Sequence, residues 1–285
     1  MTIIENHVYH RAGKKPILLD YYIPLNGNKC PIIIFAHGYK GFKDWGAWSL
    51  MGKEFTKAGL CFIKFNFSHN GGTVDQPIDF PDLEAFGTNN YSKELDDLGD
   101  VMDWIISNLK NELRVDTSLL YLIGHSRGGG ISILKTAEDS RIKKLITLAS
   151  VCDFGERFIN AGDLEQWKKD GVKYVTNGRT KQEMPHFIQF YEDYIQHKER
   201  LNIKSASQNI NIPHLVIHGD ADTSVSVNEG QKIHSWNKKS KLKIIEGADH
   251  VFNVKHPWNK DSLPQEFNEV ITASIKFLKQ KTDHS

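Results

Sequence analysis

The chain has little of what marks a membrane-bound, nucleic-acid-binding or disulfide-stapled protein. Its 285 residues include three cysteines, Cys30, Cys61 and Cys152, an odd number set far apart and without Cys-x-x-Cys spacing. That pattern excludes a disulfide framework and offers no zinc or redox site. Cys61, inside Leu60-Cys61-Phe62-Ile63, reads as a small buried hydrophobe. Excess charge is lacking too: 36 Lys and Arg stand against 35 Asp and Glu. Neither a nucleic-acid stripe nor a polybasic membrane anchor is expected, nor a substrate selected by gross electrostatic attraction. No apolar segment approaches membrane-spanning length. The segment Met1-Thr2-Ile3-Ile4-Glu5-Asn6-His7 lacks the basic and then apolar stretches of a secretory leader. Internal repeats and low-complexity tracts are missing. The expectation is a soluble, cytoplasmic protein with no nucleic-acid or membrane partner, long enough to bury a substantial core.

What is present is a regular alternation of buried-strand and helix patterns. A strand pair is expected over Ile3–His10 and Ile17–Ile23, turning at Gly13-Lys14-Lys15-Pro16. Near-continuous apolar runs follow at 31–36, 60–67, 119–123, 144–149, 214–218 and 242–245, as in strands covered on both faces. Between the first two of these, Trp45–Ala58 can form a helix ending at Gly59. A strand, a helix and a strand with short connections imply a right-handed crossover and a parallel pair. Ser92 can cap a helix whose apolar positions run Leu95, Leu98, Val101, Met102, Ile105, Ile106, Leu109 and Leu113, one stripe for packing on a sheet. An amphipathic helix through Phe267, Val270, Ile271 and Leu278 closes the chain. The fold class is α/β, with a doubly wound, mostly parallel sheet. Residues 153–205 break the rhythm with aromatics, mixed charges and the turn Asn177-Gly178. They read as inserted helices and a short hairpin, a cap over the C-terminal edge of the sheet within a single domain, 1–285.

Three short segments carry chemistry. Gly124-His125-Ser126-Arg127-Gly128-Gly129 places Gly-x-Ser-x-Gly directly after the run Leu119–Ile123 and before a helix-compatible stretch from Ile131. Small residues on both sides of Ser126 permit the sharp strand-to-helix turn that exposes a nucleophilic Oγ. His37-Gly38-Tyr39-Lys40-Gly41 leaves the strand ending at Ala36. A glycine-containing loop there can bring backbone N–H donors to a developing oxyanion, and the amides of Tyr39 and Arg127 are the candidates. For the orienting acid, His218-Gly219-Asp220-Ala221-Asp222 follows a buried strand. Asp222 is preferred over Asp220, which reads as a turn former bonding local amides. For the base, His250 in Gly247-Ala248-Asp249-His250 follows the last strand. His69 is the rival at the same edge, and Asp249 is expected to cap its loop. His37, His69 and His250 show no His-x-x-x-His or His/carboxylate spacing, so neither a metal nor a cofactor is expected.

With these segments present in the order Ser, Asp, His, the chain resembles the α/β-hydrolase superfamily, and within it bacterial serine esterases related to cinnamoyl/feruloyl esterases and dienelactone-hydrolase-like proteins. The resemblance runs from Ile17 to the final helix. It implies the α/β-hydrolase fold, a mostly parallel eight-stranded sheet flanked by helices, with an antiparallel second strand and an inserted cap at 153–205. Two departures bear on specificity. Arg127 replaces an uncharged residue common in cinnamoyl esterases, and Ser126 stands where dienelactone hydrolases often carry Cys.

The activity expected is cleavage of a small-molecule carboxylic ester through an acyl-enzyme, with Ser126, Asp222 and His250 as catalytic residues. Trp167 and Phe190 are candidate substrate-binding residues in the cap, among aromatics such as Phe187, Tyr191 and Tyr194 that mostly pack. The same machinery could serve an acylaminoacyl- or dipeptidyl-type serine peptidase, for which Arg127, Lys40 or Lys43 would anchor a charged terminus, or a thioesterase. From another class, the fold could be a non-catalytic ligand-binding module, against which stands the presence of all three triad members. Nothing in the sequence bears on oligomeric state.

Overall fold

The strands form where the apolar runs lie. In the computed structural model, which describes residues 1–25, 29–159 and 164–280, one eight-stranded sheet is built from β1 (Thr2–Arg11), β2 (Lys14–Ile23), β3 (Cys30–Ala36), β4 (Cys61–Phe65), β5 (Val115–His125), β6 (Ile142–Leu148), β9 (His214–Gly219) and β10 (Ser240–Ile245). Its order is β1-β2-β4-β3-β5-β6-β9-β10. Strand β2 runs antiparallel to both neighbours, and every other pair is parallel. This is the sheet that the resemblance implies, antiparallel second strand included.

Alternation along the buried strands divides the core into two layers. Ile32 and Ile34 of β3 join one cluster with Leu98, Val101 and Leu122, while Ile33 and Phe35 join another with Trp48, Phe62 and Phe267. Helices α3 (Tyr91–Leu109) and α4 (Arg127–Glu138) supply the first layer. Helices α1 (Trp48–Lys57) and α10 (Gln265–Lys279) supply the second. Because β3, β4, β6 and β9 are sandwiched, their hydrophobic residues need no polar face, which is why those runs are near-continuous, while the edge strands β1 and β10 are only partly buried.

Three local expectations shift. Helix α3 is capped by Asn90, whose side chain accepts the Lys93 amide, and Ser92 lies inside the helix with its hydroxyl donating to Asp193. The helix ends at Leu109, so Leu113 falls outside the stripe and is 81% exposed. Short α2 (Leu83–Gly87) and α9 (Val227–Trp236) were not foreseen. Between β6 and β9 lie α5 (Gly155–Ile159), α6 (Leu164–Asp170), the antiparallel hairpin β7 (Val172–Thr176) and β8 (Glu183–Phe187), α7 (Gln189–Gln196) and α8 (Ile203–Asn209). Of the expected insertion 153–205, residues 160–163 lie outside the described residues. Among those described, no helix is long and apolar enough to cross a membrane.

The sheet also decides where a site can form. Strand β3 sits between β4, which follows it, and β5, so the connections from β3 and β5 leave in opposite senses. Such a reversal opens a crevice at the carboxyl ends of the two strands. The register pairs Phe35 with Ile123 and Ala36 with Gly124. The loop after Ala36 and the turn after His125 therefore emerge side by side.

Candidate active site

Ser126 occupies that turn with φ 56° and ψ −120°, a backbone conformation that costs a non-glycine residue about 1–3 kcal/mol. The turn is held from several sides. The Ser126 amide donates to Leu148 O at 2.9 Å, and its carbonyl accepts from the amides of Gly129 and Val151. Glycine is needed at 128 because a Cβ there would run into the carbonyl oxygens of Ala36 and His37. Helix α4 thus starts hard against the end of β3, with the Arg127 amide in a first turn whose N–H groups have no intrahelical partner. Gly38 makes the reciprocal approach: a Cβ on it would stand 2.8 Å from Ser126 Cβ. The Tyr39 segment and the Arg127 amide consequently flank Ser126.

His250 lies on the loop after β10, its Nε2 3.0 Å from Ser126 Oγ and its Nδ1 2.8 Å from Asp222 Oδ2. An ionised carboxylate only accepts, so Nδ1 carries the proton and Nε2 offers its lone pair to the Ser126 hydroxyl. The loop is fixed in turn: His125 Nε2–H donates to His250 O at 2.9 Å, and Asp249 accepts the amides of Val251 and Asn253. Asp249 caps the loop as expected.

Asp222 is buried and collects three donors. Oδ1 accepts the amides of Ser224 and Val225, and Oδ2 accepts from His250. His218 Nε2 lies 3.3 Å from Oδ2 while its N–H donates to Val225 O at 2.9 Å. Burial works to raise its carboxyl, but the neighbouring His218 and the hydrogen bond from His250 outweigh that and hold it well below the usual carboxylate range. His218 is the residue that sequence reasoning passed over. Its signal was the four-residue spacing in His218-Gly219-Asp220-Ala221-Asp222. Asp220 departs from expectation, because it accepts the Gly247 amide at 2.7 Å, 27 residues away, rather than local amides. It ties the Asp222 loop to the His250 loop.

The other candidate histidines are engaged elsewhere. His69 bonds Ser68 Oγ at 2.8 Å, and burial followed by nearby Lys93 pushes it down to about 4. His37 contacts Gly38 O through Nδ1 and accepts the Phe67 amide on Nε2, with burial holding it at about 4. Burial, then the neighbouring His250, takes His125 to about 3. Lys43 is also withdrawn: with Lys64 it forms a buried quartet with Asp20 and Asp44. Among the described residues no group of three His, Cys, Asp or Glu side chains could hold a metal ion.

A cavity of about 580 Å³ opens over Ser126, within the range of small-molecule sites. Its apolar wall is Tyr39, Tyr91, Phe154, Phe158 and Phe190. A smaller cavity of about 170 Å³ is walled by Gly38, Trp45 and Trp48, and the two share Tyr39, Lys40, Ser126 and His250. Phe190 therefore reaches the large cavity. Trp167 does not line it: the indole is buried behind Phe158 and donates to His186 O at 2.8 Å. Arg127 points its guanidinium into the large cavity, over the Tyr39 ring at 4.4 Å, and pairs with the buried Glu94 at 3.2 Å. Tyr39 Oη is 2.9 Å from His186 Nε2, which links the β3 loop to strand β8.

No family model matches the chain, and no curated protein matches it in sequence. Solved structures do resemble it. Est1E from Butyrivibrio proteoclasticus is 18% identical with a TM-score of 0.70, covering 96% of this chain and 98% of its own. The alpha/beta hydrolase GrgF from Penicillium sp. sh18 is 16% identical with a TM-score of 0.67 and 98% of both chains covered. A dienelactone hydrolase from Anabaena variabilis ATCC 29413 is 15% identical with a TM-score of 0.61, covering 97% of this chain and 95% of its own. At these identities the likeness is one of fold: the chain has the α/β-hydrolase fold.

Proposed function

We propose that this α/β-hydrolase-fold chain is a serine hydrolase that cleaves carboxylic esters through an acyl-enzyme. The observation that carries the reading is the hydrogen-bonded line from Asp222 through His250 to Ser126, ending on a serine at φ 56° beneath a cavity. Ser126 Oγ attacks the ester carbonyl as His250 Nε2 takes its proton, and Asp222 stabilises the imidazolium that forms. The carbonyl oxygen becomes an oxyanion and is met by the amides of Tyr39 and Arg127. His250 then protonates the departing alcohol. Water, deprotonated by the same imidazole, attacks the acyl-enzyme and releases the acid. His218 acts at one remove: its Nε2–H donates to Val225 O, steadying the turn whose Val225 amide donates to Asp222 Oδ1.

Two cavities meeting at Ser126 suit the two halves of an ester, the larger and mainly aromatic one beneath residues 153–205 acting as a cap. Structures of Est1E include one with ferulic acid bound, which makes an aryl ester a natural probe here. The test is hydrolysis of para-nitrophenyl esters from acetyl to palmitoyl, methyl ferulate and an aminoacyl anilide, with Ser126→Ala alongside. Ester turnover that the variant abolishes supports the proposal. Anilide turnover above ester turnover would move it to a peptidase, and no turnover by the folded protein would favour a binding module.

A further inference from the structure

Cations crowd the wall of the large cavity over Ser126. Lys40, Arg127, Arg157 and Lys173 all reach its surface, and among the described residues lining it there is no Asp or Glu. They come from four separate parts of the fold: the loop after β3, the start of α4, helix α5 and strand β7. The two arginines have acids behind them. Arg127 pairs with Glu94 and Arg157 with Glu229, and both acids stand outside the cavity wall. The Lys40 ammonium makes no ion pair among the described residues and stands 5.1 Å over the Tyr39 ring. That of Lys173 lies 4.0 Å from the Trp167 ring centroid.

His186 registers how closely these charges converge. Burial is the largest influence that brings its imidazole down to about 3, and Arg127, Lys173 and Lys40 each push in the same direction. Three of the cations thus bear on one side chain of the cavity wall. The chain's balance of 36 basic and 35 acidic residues conceals this local field. A neutral ligand would leave half-buried ammonium and guanidinium groups without a new partner, whereas an anion would gain charge-assisted hydrogen bonds in a partly desolvated space.

We infer that the preferred substrate is an ester bearing a second, free carboxylate on a compact apolar or aromatic frame, the carboxylate held by Lys40 and the Arg127 guanidinium while the ester carbonyl lies at Ser126. This rests on the serine-hydrolase reading of the same site. The aromatic wall supplies contact for the frame, and five rings are available to it. Lys40 borders both cavities, so the carboxylate can belong to the acyl half or to the alcohol half.

Matched ester pairs test this. Monomethyl against dimethyl terephthalate puts the charge on the acyl side, and para-acetoxybenzoate against its methyl ester puts it on the alcohol side. At low ionic strength kcat/KM for the carboxylate should exceed that for its neutral partner by about tenfold in at least one pair, and that pair assigns the side. Raising the salt from ~0.02 M to ~0.5 M should shrink the ratio several-fold, and Lys40→Gln should bring it close to one. Neutral esters turned over as well as or better than their anionic partners in both pairs would overturn the inference while leaving the hydrolase reading intact. If the folded protein hydrolyses no ester, that reading fails, and binding decides the inference alone. Terephthalate should then bind Ser126→Ala about tenfold more tightly than dimethyl terephthalate by calorimetry, and equal affinities would overturn it.

Discussion

Gly38→Ala is the substitution whose effect follows most directly from the geometry. The new Cβ would stand 2.8 Å from Ser126 Cβ, 3.2 Å from His125 O and 3.3 Å from His125 Nδ1. Carbon atoms in contact prefer about 3.5–4.0 Å, so the two segments must part by roughly 0.7 Å or more. Ser126 resists, being locked by Leu148 O and by the amides of Gly129 and Val151. The loop carrying Tyr39 is therefore the part that moves, and with it one of the two proposed oxyanion donors. Losing such a donor costs about 10²–10³ in kcat, and a displacement near 1 Å alone costs about 10². We expect kcat on para-nitrophenyl acetate to fall about a hundredfold, near 2.7 kcal/mol, with KM changed far less. Overpacking should also cost about 1–3 kcal/mol of stability, read from denaturant unfolding. A variant that loses that stability yet keeps kcat within about threefold would refute the reasoning, because the loop would have moved without consequence for the reaction.

Other expectations follow from the same contacts. Asp222→Asn should lower kcat by about 10³–10⁴, since an amide can present its N–H to His250 and favour the wrong tautomer. Asp220→Asn weakens only the tie to Gly247 and should leave kcat within a few-fold, at a cost of about 1 kcal/mol in unfolding free energy. Phe190→Ala should shift the optimum of the para-nitrophenyl ester series while sparing the acetate, whereas Trp167→Ala should chiefly destabilise, by about 3–5 kcal/mol, in a melt. Equal losses across all chain lengths in Phe190→Ala would count against its place in the cavity. His37, His69, His125, His186 and His214 all have imidazoles lowered to about 3 or 4, with burial the first cause in each. They stay neutral in the folded chain at pH ~5.5 and become charged on unfolding, so stability should rise with pH between ~4 and ~6.5. Unfolding enthalpies measured in buffers of different ionisation heat should report about four protons taken up at pH ~5.5 from these five groups, and near-zero uptake would contradict their burial.

Much of this architecture was legible in the sequence because burial on both faces writes itself as continuous apolar runs. Ile32–Ala36 and Leu119–Ile123 are strands for that reason, and the chemistry-bearing segments begin where such runs stop. Ser126, Asp222 and His250, singled out as residues on strand-ending loops, lie within hydrogen-bond reach of one another. Other features depend on partners distant in sequence. Ser92 and Asn90 are both good caps, and the choice falls to Asn90 because Asp193 engages the Ser92 hydroxyl. The sequence set Trp167 among the aromatics of the insertion without saying which way it faces, and the His186 carbonyl draws its indole inward. Helix α9 has few apolar residues and so gave no stripe to read. Of the cationic wall, Lys40 and Arg127 were legible as candidate anchors for a charged terminus, but Arg157 and Lys173 lie far off along the chain and a near-zero net charge averages them away.

The central claim is that Ser126 is a nucleophile activated by His250. Intact-protein mass spectrometry after treatment with a fluorophosphonate tests it without any assumption about the substrate. We expect one adduct, mapped to Ser126, absent in Ser126→Ala and formed far more slowly in His250→Ala. An unlabelled folded protein, or an adduct on another serine that persists in Ser126→Ala, would contradict it.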